Sequence, residues 1–475
     1  MLFGESIVRR RRLHFIGIGG IGMSGIAEIL LNLGYRISGS DLKRSPVTDR
    51  LAKLGATIHE GHAAEHIRGA DVVVYSSAIS PANAEFAAAR ASGVPVIMRG
   101  ELLAELMRVK YGVAIAGSHG KTTTTSMTAA VVAEAGKDPT VVVGGRVDSL
   151  GSNARLGKSD FLIVEADESD GSFLRLAPIV AVVTNIDVEH LDHYGSADAL
   201  EQAFLSFANK TPFYGSTVLC LDDPAVRQIA PRVTSRVRTY GTAEISPEAD
   251  LVVHDVECGP QACRFGLDYR CEDLGTFEVR SVGRHNVLNA AAAVLVGLEL
   301  EIEPETLRAG LRGFSGVDRR FQIRGQRGGV TVIDDYGHHP TEIRATLAAA
   351  RTCGYGQIHV IFQPHRYSRT KLLAADFANC FADCDRLQVT DIYAASEEPL
   401  AGIDSPWLVE RIRAAGQSEV DYAPSIEEAI ERVVEEAEPG DAVMTLGAGT
   451  IWRAGDQILK RLEERVRNFA AGGAR

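Results

Sequence analysis

The stretch Ala116-Gly-Ser-His-Gly-Lys-Thr-Thr-Thr-Thr125 decides the fold. It follows an apolar run, Val113-Ala-Ile-Ala116, with the pattern of a short buried strand, and precedes a helix-like run from Ser126 to Glu134 closed by Gly136. A glycine-rich turn between strand and helix leaves backbone N–H groups aimed at one point, with the helix dipole behind them. Lys121 adds a cation, and Thr122 a hydroxyl able to bind magnesium. Gly117, Ser118, His119, Gly120, Lys121, Thr122 and Thr123 together therefore read as a cradle for a nucleoside triphosphate. The general pattern wants a glycine where this chain has Ile115, so the match is to a shorter variant. The competing reading is an ordinary Gly-Ser turn entering a Thr-rich helix. The loop names a triphosphate and leaves its use open.

Around this loop, 475 residues are too many for one core and suggest about three domains. Hydrophobic content of 45% with 24% charged residues is ordinary globular composition. A net charge of −12 argues against nucleic acid and against an anionic membrane surface as partners. Phosphate ligands must then be held by local cations and loop N–H groups. Seven cysteines, at 220, 258, 263, 271, 353, 380 and 384, lack metal-ligand spacing and are expected to be free thiols in a reducing cytosol. Arg9 to Arg12 imitate a twin-arginine leader, but the glycine-rich segment after them is a poor apolar signal core. No run approaches the ~20 apolar residues of a membrane span, so a cytoplasmic protein is expected.

Residues 13–109 alternate strand-like and helix-like segments, as a small doubly wound α/β unit does. Inside it Gly17-Ile-Gly19-Gly-Ile-Gly22 fits a dinucleotide fingerprint, with Asp41 where a ribose-binding acid would lie. Taken alone, this predicts an NAD-dependent oxidoreductase. Any nucleotide diphosphate can use the same turn, however. Residues 110–320 carry the phosphate loop and two apolar runs that end in polar groups, Glu165-Ala-Asp-Glu168 and Thr184-Asn-Ile-Asp-Val-Glu-His190. Acids and a histidine at strand ends beside such a loop are where magnesium ligands belong. The alternatives are a helix-start acid for Glu165 and a surface histidine for His190. Segment 216–282 reads as a β-hairpin elaboration of this domain, and Gly283-Arg-His-Asn-Val-Leu-Asn289 opens an Ala-rich helix.

From about 321 a third α/β pattern begins. Its strand-like runs close on Asp334-Asp-Tyr-Gly-His-His339, on Gln363-Pro-His-Arg-Tyr-Ser-Arg369 and on Gly447-Ala-Gly449. The prediction is an α/β protein of three domains. A Rossmann-like domain spans 1–110, a central P-loop ATPase α/β domain with a β elaboration spans 111–322, and a Rossmann-like domain spans 323–475. A triphosphate loop, a magnesium site and two further ligand edges suggest that ATP activates a carboxylate on a nucleotide-linked substrate. Lys121, magnesium, His365 and Arg369 would neutralise the transferred charge. A P-loop ATPase without a ligase product is the third reading.

The chain resembles the ATP-dependent Mur ligases of bacterial cell-wall synthesis over essentially its whole length. The resemblance rests on eight motifs in order: Gly17-IGGIGMSGIA, Gly117-SHGKTTTT, Glu165-ADESDGSF, Asn185-IDVEHLDHYG, Gly283-RHNVLNA, Gly316-VDRRFQ, Asp334-DYGHHPTE and Gln363-PHRYSRT. It implies ligation of L-alanine to the lactyl carboxylate of UDP-N-acetylmuramate through an acyl phosphate, with ATP and Mg2+, in peptidoglycan precursor synthesis. The nearest rival within the family joins a preformed murein tripeptide to the same sugar nucleotide. The resemblance implies Lys121 on the β/γ-phosphates, with Thr122, Glu165 and His190 as magnesium ligands. Asn289 would sit at adenine, and Arg320 and Asp335 at ribose or phosphates; adjacent Arg319 competes for the role of Arg320. Tyr336, His338, His365, Arg366 and Arg369 would line the junction of carboxylate, ATP and alanine, with His338 helping to deprotonate the amine. Gly19, Gly20, Ile21, Gly22, Asp41, His62, Ser76, Ser77 and Tyr336 would serve the UDP substrate. Sister ligases use a carbamoylated lysine, for which Lys210 is the only local candidate. The oligomeric state is left open.

Overall fold

The computed structural model describes residues 11–76, 78–147, 152–395 and 397–472. Ser77 and the arginines at 9 and 10 therefore lie outside the described residues. Two compact units are formed. One comprises the chain up to Asp255 with Phe265–Glu278 and Leu288–Ser315; the other comprises Val256–Arg264, Val279–Val287 and the chain from Gly316.

The first unit opens with β1 (Arg12–Ile16), α1 (Ile21–Asn32), β2 (Arg36–Asp41), β3 (Thr57–Glu60), β4 (Val72–Tyr75), α2 (Ala84–Ala91), β5 (Val96–Met98) and α3 (Arg99–Arg108). Its five strands are ordered β3-β2-β1-β4-β5, with every pair parallel. Strand order reverses between β1 and β4, which opens a crevice where Gly17 and Ser76 begin their loops. Phe15 and Ile16 point to opposite faces, and each is fully buried in a separate apolar cluster. Both faces of the sheet are thus covered, as a parallel sheet requires.

A ten-stranded sheet follows, built from β6 (Tyr111–Ala116), β7 (Thr140–Val147), β8 (Ser152–Arg155), β9 (Phe161–Glu165), β10 (Val180–Val183), β11 (Ser216–Cys220), β12 (Val237–Thr242), β13 (Leu251–Cys258), β14 (Cys263–Tyr269) and β15 (Glu272–Val279). Its order is β15-β14-β13-β12-β11-β10-β6-β9-β7-β8. β6 lies between β10 and β9, parallel to both, so three loops leave the same sheet edge side by side. The segment expected as a hairpin elaboration does more than that. β11 and β12 join the parallel ladder, because Thr217-Val-Leu-Cys220 is buried on both faces and needs neighbours on both edges. The expectation of seven free thiols is corrected at one pair. The short connection between β13 and β14 brings Cys258 and Cys263 together as a disulfide, and the other five cysteines are free.

The second unit carries β16 (Gln322–Arg327), β17 (Val330–Asp335), β18 (Ile358–Phe362), β19 (Arg386–Val389), β20 (Val420–Tyr422) and β21 (Ala442–Leu446) in the order β16-β17-β21-β18-β19-β20. β16 runs antiparallel to β17, and the other pairings are parallel. Two apolar clusters cover its faces. Architecture matches the α/β reading: mostly parallel sheets with polar loops at their carboxyl edges.

Candidate active site

The phosphate loop joins β6 to α4 (Lys121–Glu134). Its glycines are demanded by geometry. Gly117 has φ +140, and a Cβ there would lie 2.0 Å from Thr184 Oγ1; Gly120 has φ +79, and its Cβ would meet Asn289 Oδ1 at 2.5 Å. Both positions exclude a side chain, and Gly120 starts the helix in the left-handed conformation. The loop is shaped from outside by the segment after β10. Asn185 Oδ1 accepts from His119 N at 2.7 Å, Thr184 Oγ1 donates to His119 O at 2.7 Å, and Ser118 Oγ accepts from Asp187 N at 2.8 Å. His119 Nε2 lies 2.9 Å from Asp187 Oδ2. Asn289, at the start of α5 (Arg284–Glu299), accepts from Thr124 Oγ1 at 3.1 Å and so sits directly on the loop. Thr123 is buried in the first turn of α4.

Lys121 is folded back onto its own loop. Its Nζ donates to Gly117 O (2.6 Å), Ser118 O (2.9 Å) and Glu168 Oε1 (2.7 Å). Burial opposes its charge, but the Glu168 carboxylate outweighs that and holds the lysine above its ordinary pKa. Burial pushes Glu168 up to about 7 despite Lys121. Glu168 Oε2 is buried with no hydrogen-bond partner. Ligand atoms of Glu168, Glu189 and His190 all lie within 4.8 Å of one another. Thr122 Oγ1 donates to Glu165 Oε1 at 3.0 Å, and Glu165 Oε2 accepts from Gly144 N at 2.6 Å. Buried oxygen donors with one orphaned carboxylate oxygen, beside a loop built for phosphate, fit a hard divalent cation. His190 sits at φ +55, an uncommon conformation for a non-glycine residue, and its Nε2 is 3.8 Å from Glu168 Oε1. Of the predicted ligands, Thr122 and Glu165 face each other beside the loop, whereas His190 is gathered with Glu168 and Glu189. Lys210 is exposed, away from any such burial.

At the front sheet, the glycine turn is held by the end of β2. Gly17 N and Ile18 N both donate to Ser40 O, at 2.8 and 2.9 Å. Gly19 N donates to Asp41 Oδ2 at 2.8 Å, so Asp41 braces the turn itself. Gly20 caps α1, Ile21 begins it, and Gly22 is closed over by Arg99, which donates to Asp167 at 3.2 Å. His62 turns Nδ1 toward Ser40 Oγ (3.0 Å) and Glu85 (3.2 Å). Ser76 lies directly after β4, and its carbonyl accepts from Ile79 N at 3.0 Å.

In the second unit, β17 and β18 end in the remaining predicted residues. Asp335 is buried and accepts from Phe321 N and Gly337 N, both at 2.7 Å; burial raises it to about 6. It therefore shapes the Tyr336–His338 loop. Arg319 is committed to Asp334 (3.0 Å) and Gly447 O (2.6 Å), whereas Arg320 reaches Glu342 at 3.3 Å. Both guanidinium groups lie over the Tyr336 ring. The ring centroids of His338 and His365 are 5.9 Å apart, and Arg369 Nη1 lies 3.3 Å from His365 Nδ1. Burial, with His338, Arg369 and Arg366 nearby, lowers His365 to about 3. With its value lowered in this way His365 carries no charge near pH 7, and Arg366 and Arg369 are the cations beside it. Arg366 has φ +70, and its Nε is buried without a hydrogen-bond partner.

Three family models match the chain in succession. Residues 12–111 match the Mur ligase family catalytic domain, 115–297 the Mur ligase middle domain, and 319–449 the Mur ligase glutamate ligase domain. The chain belongs to the Mur ligase family. A UDP-N-acetylmuramate–L-alanine ligase of Solibacter usitatus is 59% identical over 459 residues, covering 96% of this chain and 97% of that protein. The crystal structure of a UDP-N-acetylmuramate-alanine ligase from Thermotoga maritima is similar with TM-score 0.80 and 27% identity, over 96% of this chain and 99% of that one. A murein peptide ligase from Psychrobacter arcticus shares the fold, with TM-score 0.70 and 23% identity, over 95% of this chain and 99% of that one.

Within this Mur ligase, sequence reasoning includes Glu168, Asp187 and Glu189 among the strand-end acids without singling them out, and passes over Arg99. Glu168 and Glu189 stand inside quoted motifs, three residues after Glu165 and one before His190. Only the loop conformations turn them toward a common point. No spacing rule marks Arg99.

Proposed function

We infer that the chain is an ADP-forming ligase that joins L-alanine to the lactyl carboxylate of UDP-N-acetylmuramate, a step of peptidoglycan precursor synthesis. The observation that carries this is full-length identity of 59% to a ligase of that name. A triphosphate loop closed by Lys121 accompanies it. The murein-tripeptide and nicotinamide-dependent readings are not favoured.

Three domains with borders near 110 and 322 bind, respectively, the UDP substrate, ATP, and the reacting groups. The turn Gly19–Gly22 takes the diphosphate, with Asp41, His62, Ser76, Ser77 and Tyr336 as further contacts. Backbone N–H groups of Gly117–Thr123 and the Lys121 ammonium hold the phosphates of ATP, and Asn289, Arg320 and Asp335 serve the rest of the nucleotide. Arg320 is preferred to Arg319 because Arg319 is already tied to Asp334 and Gly447. Thr122, Glu165 and His190, with Glu168, would hold Mg2+, which neutralises phosphate charge when bound. The lactyl carboxylate oxygen attacks the γ-phosphorus and the bond to the ADP oxygen breaks, giving an acyl phosphate. The alanine amine then attacks the acyl carbon, loses a proton to His338, and inorganic phosphate leaves. Lys121, Arg366 and Arg369 spread the transferred charge; His365 positions Arg369 as a neutral acceptor. ATP and UDP-sugar supply places the enzyme in the cytoplasm.

Phosphate release with UDP-N-acetylmuramate and a panel of amino acids and the tripeptide tests this. Release is expected only with ATP, the sugar nucleotide and L-alanine together. Turnover with the tripeptide and none with L-alanine would overturn the assignment.

A further inference from the structure

Beneath the front glycine turn lies a group of side chains of which only His62 has been given a part in substrate binding. Glu85, in the first turn of α2, is fully buried. Its Oε2 accepts from Ser40 Oγ at 2.5 Å and faces His62 Nδ1 at 3.2 Å; its Oε1 faces His66 Nδ1 at 2.7 Å. His14 is fully buried in β1, with Nδ1 at 2.9 Å from Ser38 Oγ. Its Nε2 has no hydrogen-bond partner and is aimed at Glu85 Oε2 across 3.7 Å. His59 stacks on His66 with ring centroids 4.2 Å apart. Four imidazoles thus surround one carboxylate.

This arrangement keeps Glu85 charged. Burial alone would raise it, but His14 facing it across 3.7 Å and hydrogen bonds from Ser40 and His66 outweigh burial and bring it to about 2. A buried charge is a poor source of stability, since taking an ion out of water costs several kcal/mol that its partners only roughly repay. The cluster is also not built for a metal. Among the described residues, the groups whose ligand atoms converge within 4.8 Å do not include it. Three of the imidazoles, His14, His62 and His66, face the carboxylate, and the fourth, His59, stacks on His66.

What the carboxylate does hold is Ser40. That residue is the hinge between the cluster and the turn. Its hydroxyl is fixed by Glu85 while its carbonyl accepts both Gly17 N and Ile18 N. The next residue, Asp41, accepts Gly19 N through its side chain and Gly61 N through its carbonyl. Among the described residues, Glu85 is what ties the side chain of Ser40 to a neighbouring helix. We propose that Glu85, held by His14, His62 and His66, is a positioning residue for the sugar-nucleotide site: it locks Ser40, and through Ser40 the turn whose N–H groups receive the diphosphate. The strut rests on the assignment of that turn to the UDP substrate.

Ser40→Ala and Glu85→Gln separately cut the link. Ser40→Ala leaves Glu85 its histidines and so keeps the fold where Glu85→Gln alone could fail to. Each is expected to raise the KM for UDP-N-acetylmuramate about tenfold, with the KM for ATP within about twofold. The double variant is expected to be no worse than the worse single, because both remove one linkage. A merely structural role predicts lower melting temperatures with unchanged KM values and additive losses. Unchanged sugar-nucleotide KM in folded Ser40→Ala, or additive effects, would overturn the strut. Calorimetric binding of UDP-N-acetylmuramate to the wild-type enzyme separates the two layers. Its absence removes the assignment of the turn together with the strut, whereas binding indifferent to Ser40 and Glu85 removes the strut alone.

Discussion

Glu168 shows how much a single carboxyl group can depend on its surroundings. It is 2% exposed, salt-bridged to Lys121 at 2.7 Å, and still pushed up to about 7 by burial. One oxygen accepts from the lysine and the other is buried without a hydrogen-bond partner. His365 illustrates the reverse sign. Its ordinary value is 6.5, and burial beside three cationic or ionisable neighbours lowers it to about 3. The unfolded chain then binds a proton that the folded one refuses, so stability is lost as pH falls from 6.5 toward 3. His365→Gln removes this term. Melting curves of the two proteins should converge near neutrality, apart from a constant offset, and the variant should lose less than the wild type by about pH 5. Parallel loss in both would refute a neutral, buried His365.

At the scale of elements, three parallel strands, β10, β6 and β9, deliver the site. Their registers align Val183 with Ala116 and Ile115 with Glu165, so phosphate loop, shaping segment and acids leave the sheet at one level. Gly120 is the pivot. Its φ of +79 costs a side-chain-bearing residue about 1–2 kcal/mol, and a Cβ would also press on Asn289 Oδ1. Gly120→Ala should therefore weaken ATP binding about tenfold while UDP-N-acetylmuramate binding persists, as calorimetry would show. Equal loss of both ligands would mean that the substitution disturbs the fold and not the loop alone.

On the whole-molecule scale, a chain of net charge −12 that takes a polyanionic substrate must draw its attraction from local cations and oriented N–H groups. No helix among the described residues is long and apolar enough to cross a membrane. ATP with Mg2+ should raise the melting temperature, since ligand at a hundred times its Kd adds about 2.7 kcal/mol. Chelation with EDTA should remove most of that shift. A shift indifferent to chelation would argue against Glu165, His190 and Glu168 as metal ligands.

The order of strand-like and helix-like runs, the glycine turns and the strand-end acids were all legible in the sequence, because each follows from local rules. Apolar runs bury in parallel sheets, glycine adopts the left-handed loop dihedrals most readily, and polar groups at carboxyl ends of strands face a ligand edge. The family followed from eight such motifs standing in order. Other features had no local signature. Glu168 reaches Lys121 across 47 positions, Arg99 reaches Asp167 across 68, and Glu85 gathers Ser40 and His66 from 45 and 19 positions away. The sequence likewise could not separate Arg319 from Arg320, or show that His365 is neutral. The front turn, which alone suggests a dinucleotide enzyme, had its backbone conformation written locally in Gly17 to Gly22. Its anchor on Ser40 and Glu85 was decided only by tertiary structure, because burial and partner charges are properties of what folds against a residue.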